Sequence, residues 1–149
     1  MMTATISTQQ EWFSNYVSST MSILGVHAPD ADGDLPVSGE TCMAWVRTET
    51  SEPWGVRVFA MAARNVPLKA AVHKEINAAN TADRALRVVL AANGSVMVDY
   101  LLLADAVNTD NLRAVISRVL KVADELGPMI TAVHGGTTPI VSEPFESEG

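Results

Sequence analysis

The feature that most constrains this chain is an Asn93-Gly94 step set between two aliphatic runs, RALRVVLA at 84–91 and SVMVDYLLLA at 95–104. Asn-Gly readily takes the left-handed backbone conformations of tight turns, and the β-branched and aliphatic residues around it suit a pleated, half-buried surface. The segment therefore reads as a β-hairpin. Its loop length decides which side chains share a face, because a slip of one residue turns every side chain over. A three-residue loop, Ala92-Asn93-Gly94, built as a type I turn closed by a glycine bulge, sets Arg87 opposite Asp99. A two-residue loop would set Arg87 against Tyr100 and Asp99 against Val88. The charge pair selects the three-residue loop. One face then holds Leu86, Val88, Leu90, Val96, Val98, Tyr100 and Leu102, and the other holds Arg87, Val89, Met97, Asp99 and Leu101.

A second hairpin is expected from strands at 41–47 and 55–63, joined by the polar turn 48–53. Each arginine marks the wetter side, so alternation places Met43, Trp45, Arg47, Arg57, Phe59 and Met61 on a mixed face and Cys42, Ala44, Val46, Val56 and Val58 inside. Extended over both hairpins, the mixed face also takes in Arg87, Val89, Met97 and Leu101. An ordinary solvated sheet surface is rich in Thr, Lys, Glu and Ser. Met, aromatic and Arg side chains instead make an adaptable protein-binding surface: methionine reshapes, aromatic rings supply area at low entropic cost, and arginine forks onto carboxylates. Two readings stand for these ten residues. The face is a platform for a peptide or a dimer mate, or it is a second core covered by a helix or loop, with the arginines reaching out at strand ends.

Helical periodicity supplies the cover for the apolar face. Residues 9–24 carry Trp12, Phe13, Tyr16, Val17, Met21 and Leu24 on one side, with Thr8 and Glu11 as a capping box and Gly25 as the stop. Residues 27–39 read as a loop punctuated by Pro29, Gly33 and Pro36. After Pro67 a short helix carries Leu68, Val72 and Ile76 and breaks at Asn80. A long helix starts from a cap at Asn108 or Thr109, with Leu112, Val115, Ile116, Val119, Leu120, Ala123 and Leu126 on its apolar side. Gly127-Pro128 kinks or restarts it, and Met129, Ile130 and Val133 prolong the face to the Gly135-Gly136 stop. The expectation is an α+β fold of order α-β-β-(β)-α-β-β-α. Two antiparallel hairpins form the sheet, the terminal helices pack on one face, and the middle helix is short. Residues 1–8 and 140–149 are read as flexible ends of a single domain spanning 9–139.

Composition narrows the function. Acidic residues outnumber basic ones 17 to 10, for a net charge of -7, which repels a phosphate backbone and excludes ordinary nucleic-acid binding. No stretch approaches a membrane span, and MMTATISTQQ lacks the basic and apolar regions of a signal peptide, so a cytoplasmic location is expected. The single cysteine, Cys42, reads as a small buried hydrophobe. His27, His73 and His134 are scattered, with no pair at zinc-site spacing. Asp30, Asp32 and Asp34 resemble a calcium loop, but the required glycine position holds Leu35 and the bidentate acid position holds Thr41. There is no phosphate loop, dinucleotide fingerprint or nucleophile turn. No catalytic residue, cofactor or metal is therefore expected, and the chain reads as non-enzymatic.

The stretches ADGDLPV, EINAAN, ANGSVMVDYLLLAD, DNLRAVISRVLKVADELGP and HGGTTP, in this order of elements, carry a resemblance over roughly residues 11–139. The chain resembles the peptide-binding, chaperone-like domains that share the fold of type III secretion chaperones such as CesT and of YbjN proteins. The resemblance implies an α/β sandwich, commonly dimeric, that holds a segment of another protein on hydrophobic surfaces without a cofactor. Two further classes remain: a small-ligand or regulatory domain using a pocket between the first helix and the acidic loop, and a purely structural homodimer.

Overall fold

The computed structural model describes residues 8–26 and 28–141. Gly94 has φ 88°, its N–H donates to Ala91 C=O at 2.9 Å, and the Ala91 N–H donates to Ser95 C=O at 2.8 Å. The Ala92-Asn93-Gly94 loop thus joins β4 (Arg87–Leu90) to β5 (Val96–Leu103), with Arg87 opposite Asp99. The other hairpin pairs the whole of β2 (Met43–Glu49) with β3 (Gly55–Ala63) from Gly55 to Met61.

The 27–39 segment, read as a loop, also contains a short strand, β1 (Leu35–Ser38), antiparallel to β2. With four residues and a proline it has no periodic signature of its own, and only β2 alongside makes it a strand. The sheet order is β1-β2-β3-β5-β4, so β3 and β5 meet at the centre and join the two hairpins. A register shift between Met61 and Ala63 lets both Ala62 and Ala63 be buried.

Among the described residues three helices pack into one core cluster on one face of the sheet. In α1 (Thr8–Ile23) the buried stripe is Phe13, Val17, Thr20 and Met21. Thr8 lies inside the helix rather than before it, so the expected capping box is not formed on Thr8 as N-cap. Trp12 departs from the expectation as well: one position round from Phe13, it stays outside, 64% exposed, and Thr20 takes the inner position with its hydroxyl donating to Tyr16 C=O. In α2 (Ala70–Ala82) Val72 and Ile76 are buried, whereas Leu68 lies in the extended entry and is exposed.

Asn108 caps α3 (Thr109–His134) by accepting from the Asn111 N–H. The helix runs through Gly127-Pro128 without a break. A side-chain Cβ at position 127 would collide with Ala62 C=O, so glycine permits the close approach of α3 to β3. Beyond Pro128 only Ile130 continues the buried stripe, while Met129 and Val133 are exposed. Helical rotation turns those two away from the sheet. His134, expected as a surface or capping residue, pairs its ring with Glu75 on α2 at 2.7 Å. His73 is exposed, and His27 lies outside the described residues. After the Gly135-Gly136 stop, Thr137 bridges to Arg64, and the N–H of Ile140, the first residue of the expected tail, reaches Thr41 C=O. Residues 1–7 and 142–149, the rest of the expected flexible ends, lie outside the described residues.

Candidate functional site

Strand register gathers the ten mixed-face residues on one side of the sheet. Met43, Met61, Met97 and Val89 form one cross-sheet row, Trp45 and Phe59 continue through Asp99 to Arg87 in the next, and Arg47, Arg57 and Leu101 make a third. Arg47 and Arg87 are exposed and the other eight are half-buried. None belongs to the core cluster, into which the helices direct their buried residues from the other face. Among the described residues the helices pack their buried side chains on the opposite face of the sheet.

Side chains of this face are organised by one another. Trp45 and Phe59 stack with centroids 5.5 Å apart, and the Arg47 guanidinium lies 4.8 Å from the Phe59 ring centroid. Arg47 and Arg57 stand directly opposite across β2 and β3, a like-charge pair that would be unfavourable alone. Carboxylates compensate each: Asp34 grips Arg47 through two hydrogen bonds of 2.9 and 2.7 Å, and Glu49 accepts from Arg57 at 3.1 Å. The bond to Asp34 raises the Arg47 pKa further. Asp99 lies between Arg57, at 3.5 Å, and Arg87, at 2.9 Å.

Composition alone pointed to arginines free to fork onto a partner. In the structure each guanidinium is already engaged with a carboxylate of the same chain, and a groove of about 250 Å³ is lined by Phe59, Val89 and Met97 together with Arg47, Arg57, Arg87 and Asp99. Asp34 and Glu49 lie outside the predicted site although they set its electrostatics. Asp34 lies seven residues before 41–47, the nearest run that reads as a strand, and no local pattern links it to Arg47.

The pocket expected between the first helix and the acidic loop also exists, with a volume of about 530 Å³ and a lining that includes Ser14, Ser18, Ser22, Asp32 and Arg47. The Asp30, Asp32 and Asp34 carboxylates come within 4.8 Å of one another. Two of them have structural duties. Asp30 accepts from the N–H groups of Asp32 and Asp34, folding the turn, and Asp34 is buried against Arg47 rather than solvated.

Both outer edges of the sheet are short, and each is interrupted at one point. On β4, Val88 turns its N–H and C=O outward, and the Asn80 side chain binds both. On β1, Pro36 has no N–H to offer.

Cys42 is fully buried behind the mixed face. Burial, reinforced by the neighbouring Asp124 carboxylate, pushes its thiol up to about 12. It has the character of a small apolar residue and not of a nucleophile.

Solved structures share this architecture. A chain of the ExsC-ExsE complex aligns with a TM-score of 0.64 and 12% identity, covering 84% of this chain and 97% of that one. A chain of the HopA1-SchA chaperone-effector complex gives 0.64 at 6% identity, covering 83% and 98%. YbjN from E. coli gives 0.62 at 14% identity, covering 85% and 96%. At these identities the likeness concerns the fold. No curated protein matches the sequence. The family model described as T3SS (YopN, CesT) and YbjN peptide-binding chaperone 1 matches residues 11–141, nearly the whole of the described domain, and the chain belongs to that family, TY-Chap1.

Proposed function

We propose that this chain is a non-catalytic, chaperone-like domain that holds a segment of a partner polypeptide on the mixed face of its sheet, as a homodimer in the cytoplasm. The observation that carries the reading is the row structure of that face. Met43, Met61, Met97, Trp45 and Phe59 lie side by side outside the core, with the neighbouring arginines satisfied by carboxylates of the same chain. Contiguous apolar surface of this kind is uncommon on a monomer and commonly marks an interaction site. Paired arginines can lay their flat faces and stems against an apolar partner while their carboxylates keep the charge compensated. The short edges, one bridged by Asn80 and the other carrying Pro36, favour capture on the face over addition of a strand. Family membership and the chaperone-effector complex among the structural neighbours support a polypeptide as the occupant.

The test is affinity capture from native lysate with mass spectrometry, comparing the wild type with Phe59→Asp and Met97→Asp. Both variants should lose the same partner protein and keep the wild-type circular dichroism. Undiminished capture by both would place the partner elsewhere. Light scattering of the purified protein tests the homodimer: a monomeric mass removes that part of the proposal and leaves the face to a heterologous partner.

A further inference from the structure

At the end of the sheet where β3 begins and β5 stops, a separate cleft of about 650 Å³ opens beside the first turns of α1. Its walls are aromatic: Trp12, Phe13, Tyr16 and Trp54. Its charged lining residues are Glu52 and Asp105, and no Lys or Arg lines it. The rings are held in place before any ligand arrives. Trp12, although 64% exposed, stacks on Tyr16 with centroids 5.4 Å apart and planes 4° from parallel. The Tyr16 hydroxyl donates to Val107 C=O at 3.1 Å, and Phe13 packs against Trp54 at 6.0 Å. Pre-arranged aromatic surface binds with little loss of side-chain freedom.

The charge pattern differs from that of the mixed face, where arginines and carboxylates neutralise one another. Glu52 and Asp105 are both exposed, and among the described residues neither side chain has an ion pair or hydrogen bond. Unopposed carboxylates beside exposed indole and phenol faces select for a cation carried on an apolar body. The rings contribute cation–π attraction, and the acids contribute Coulomb attraction and correct orientation.

We propose that this cleft binds a basic, hydrophobic segment of a partner polypeptide, with a Leu or aromatic side chain against the rings and a neighbouring Lys or Arg at Glu52 and Asp105. The net charge of -7 steers such a segment toward the protein, and the cleft gives it a specific seat. The proposal rests on the reading that the chain holds polypeptide, but it does not use the mixed face.

The test measures fluorescence anisotropy of two labelled peptides against the full chain: an acetylated, amidated dodecapeptide alternating Leu or Phe with Lys, and its counterpart with Glu at every Lys. The Lys peptide should bind about tenfold or more tighter than the Glu peptide, and Trp12→Ala should weaken it by about tenfold or more. The double variant Glu52→Lys with Asp105→Lys should invert the preference. Asp110→Lys with Glu125→Lys changes the net charge equally and should leave most of the binding intact. Equal affinity for the two peptides, or an equal loss in that control, would show general charge attraction and overturn the proposal. Phe59→Asp with Met97→Asp separates the two surfaces. If that variant loses the Lys peptide while the cleft variants keep it, the segment sits on the mixed face; the cleft proposal then fails and the proposed function stands. Circular dichroism verifies the fold of every variant, and the exposed charge reversals keep the test valid should Trp12→Ala destabilise the chain.

Discussion

The side-chain amide of Asn80 binds both backbone groups of Val88, accepting from its N–H at 2.8 Å and donating to its C=O at 2.9 Å. A residue at the end of α2 thereby takes the place of a neighbouring strand along the outer edge of β4. Helix and edge are fastened together, and the edge is interrupted at Val88.

Asn80→Ala leaves these two groups of the buried Val88 without partners and should cost about 1–3 kcal/mol. Asn80→Asp keeps the acceptor but sets a carboxylate against Val88 C=O, so it should also destabilise at neutral pH. Urea denaturation measures both. Light scattering should show Asn80→Ala associating further than the wild type, since its edge is open. Unchanged stability in both variants would mean that the bridge contributes nothing.

Asp124 on α3 should make stability depend on acid. Its carboxylate accepts from the N–H groups of Glu40, Thr41 and Cys42 and from the Thr41 hydroxyl, at 2.9 to 3.1 Å, stapling the β1–β2 turn to the helix. Burial by itself raises its pKa, but the hydrogen bonds outweigh burial and hold it below the ordinary 3.8. A depressed folded pKa contributes stability that is present above the unfolded value and lost as pH falls through the folded one. Asp124→Asn should therefore cost about 1–3 kcal/mol at pH 7. The gap from the wild type should narrow as the pH drops below about 4. Urea midpoints at pH 7 and pH 3 decide it, and a gap that holds constant or widens in acid contradicts the staple.

Cys42 should resist alkylation in the folded state. With its thiol pushed up to about 12 and no exposed surface, the thiolate is nearly absent at pH 8. Iodoacetamide labelling followed by mass spectrometry should give slow modification of native protein and rapid modification in urea. Equal rates would show that the β1–β2 turn opens readily.

Gly127→Ala should destabilise although alanine is the better helix former. The added methyl meets Ala62 C=O, a backbone group that cannot rotate aside, so α3 must lift from β3. Overpacking outweighs the helix-propensity gain, for an expected net loss of about 1–3 kcal/mol. A rise in melting temperature would refute the close contact.

Local pattern by itself determined both hairpins, their faces and the presence and order of the helices. Asn93-Gly94 and the Arg87–Asp99 pair set the register of β4 and β5, and a two-residue period then sorted core from mixed face on four strands. These features were legible because each depends on residues adjacent along the chain or across one turn. Tertiary structure decided the rest. β1 exists only because β2 lies beside it, and Trp12 is outside because the space over the sheet is filled by Phe13 and Val17. The mixed-face arginines are paired by Asp34, Glu49 and Asp99, so charges that read as free for a partner in sequence are compensated within the chain. The aromatic cleft joins the start of α1 to the ends of two strands some 40 and 90 residues away along the chain. Periodicity records which way a side chain points, but not what the folded chain brings to meet it, because that depends on how whole elements pack.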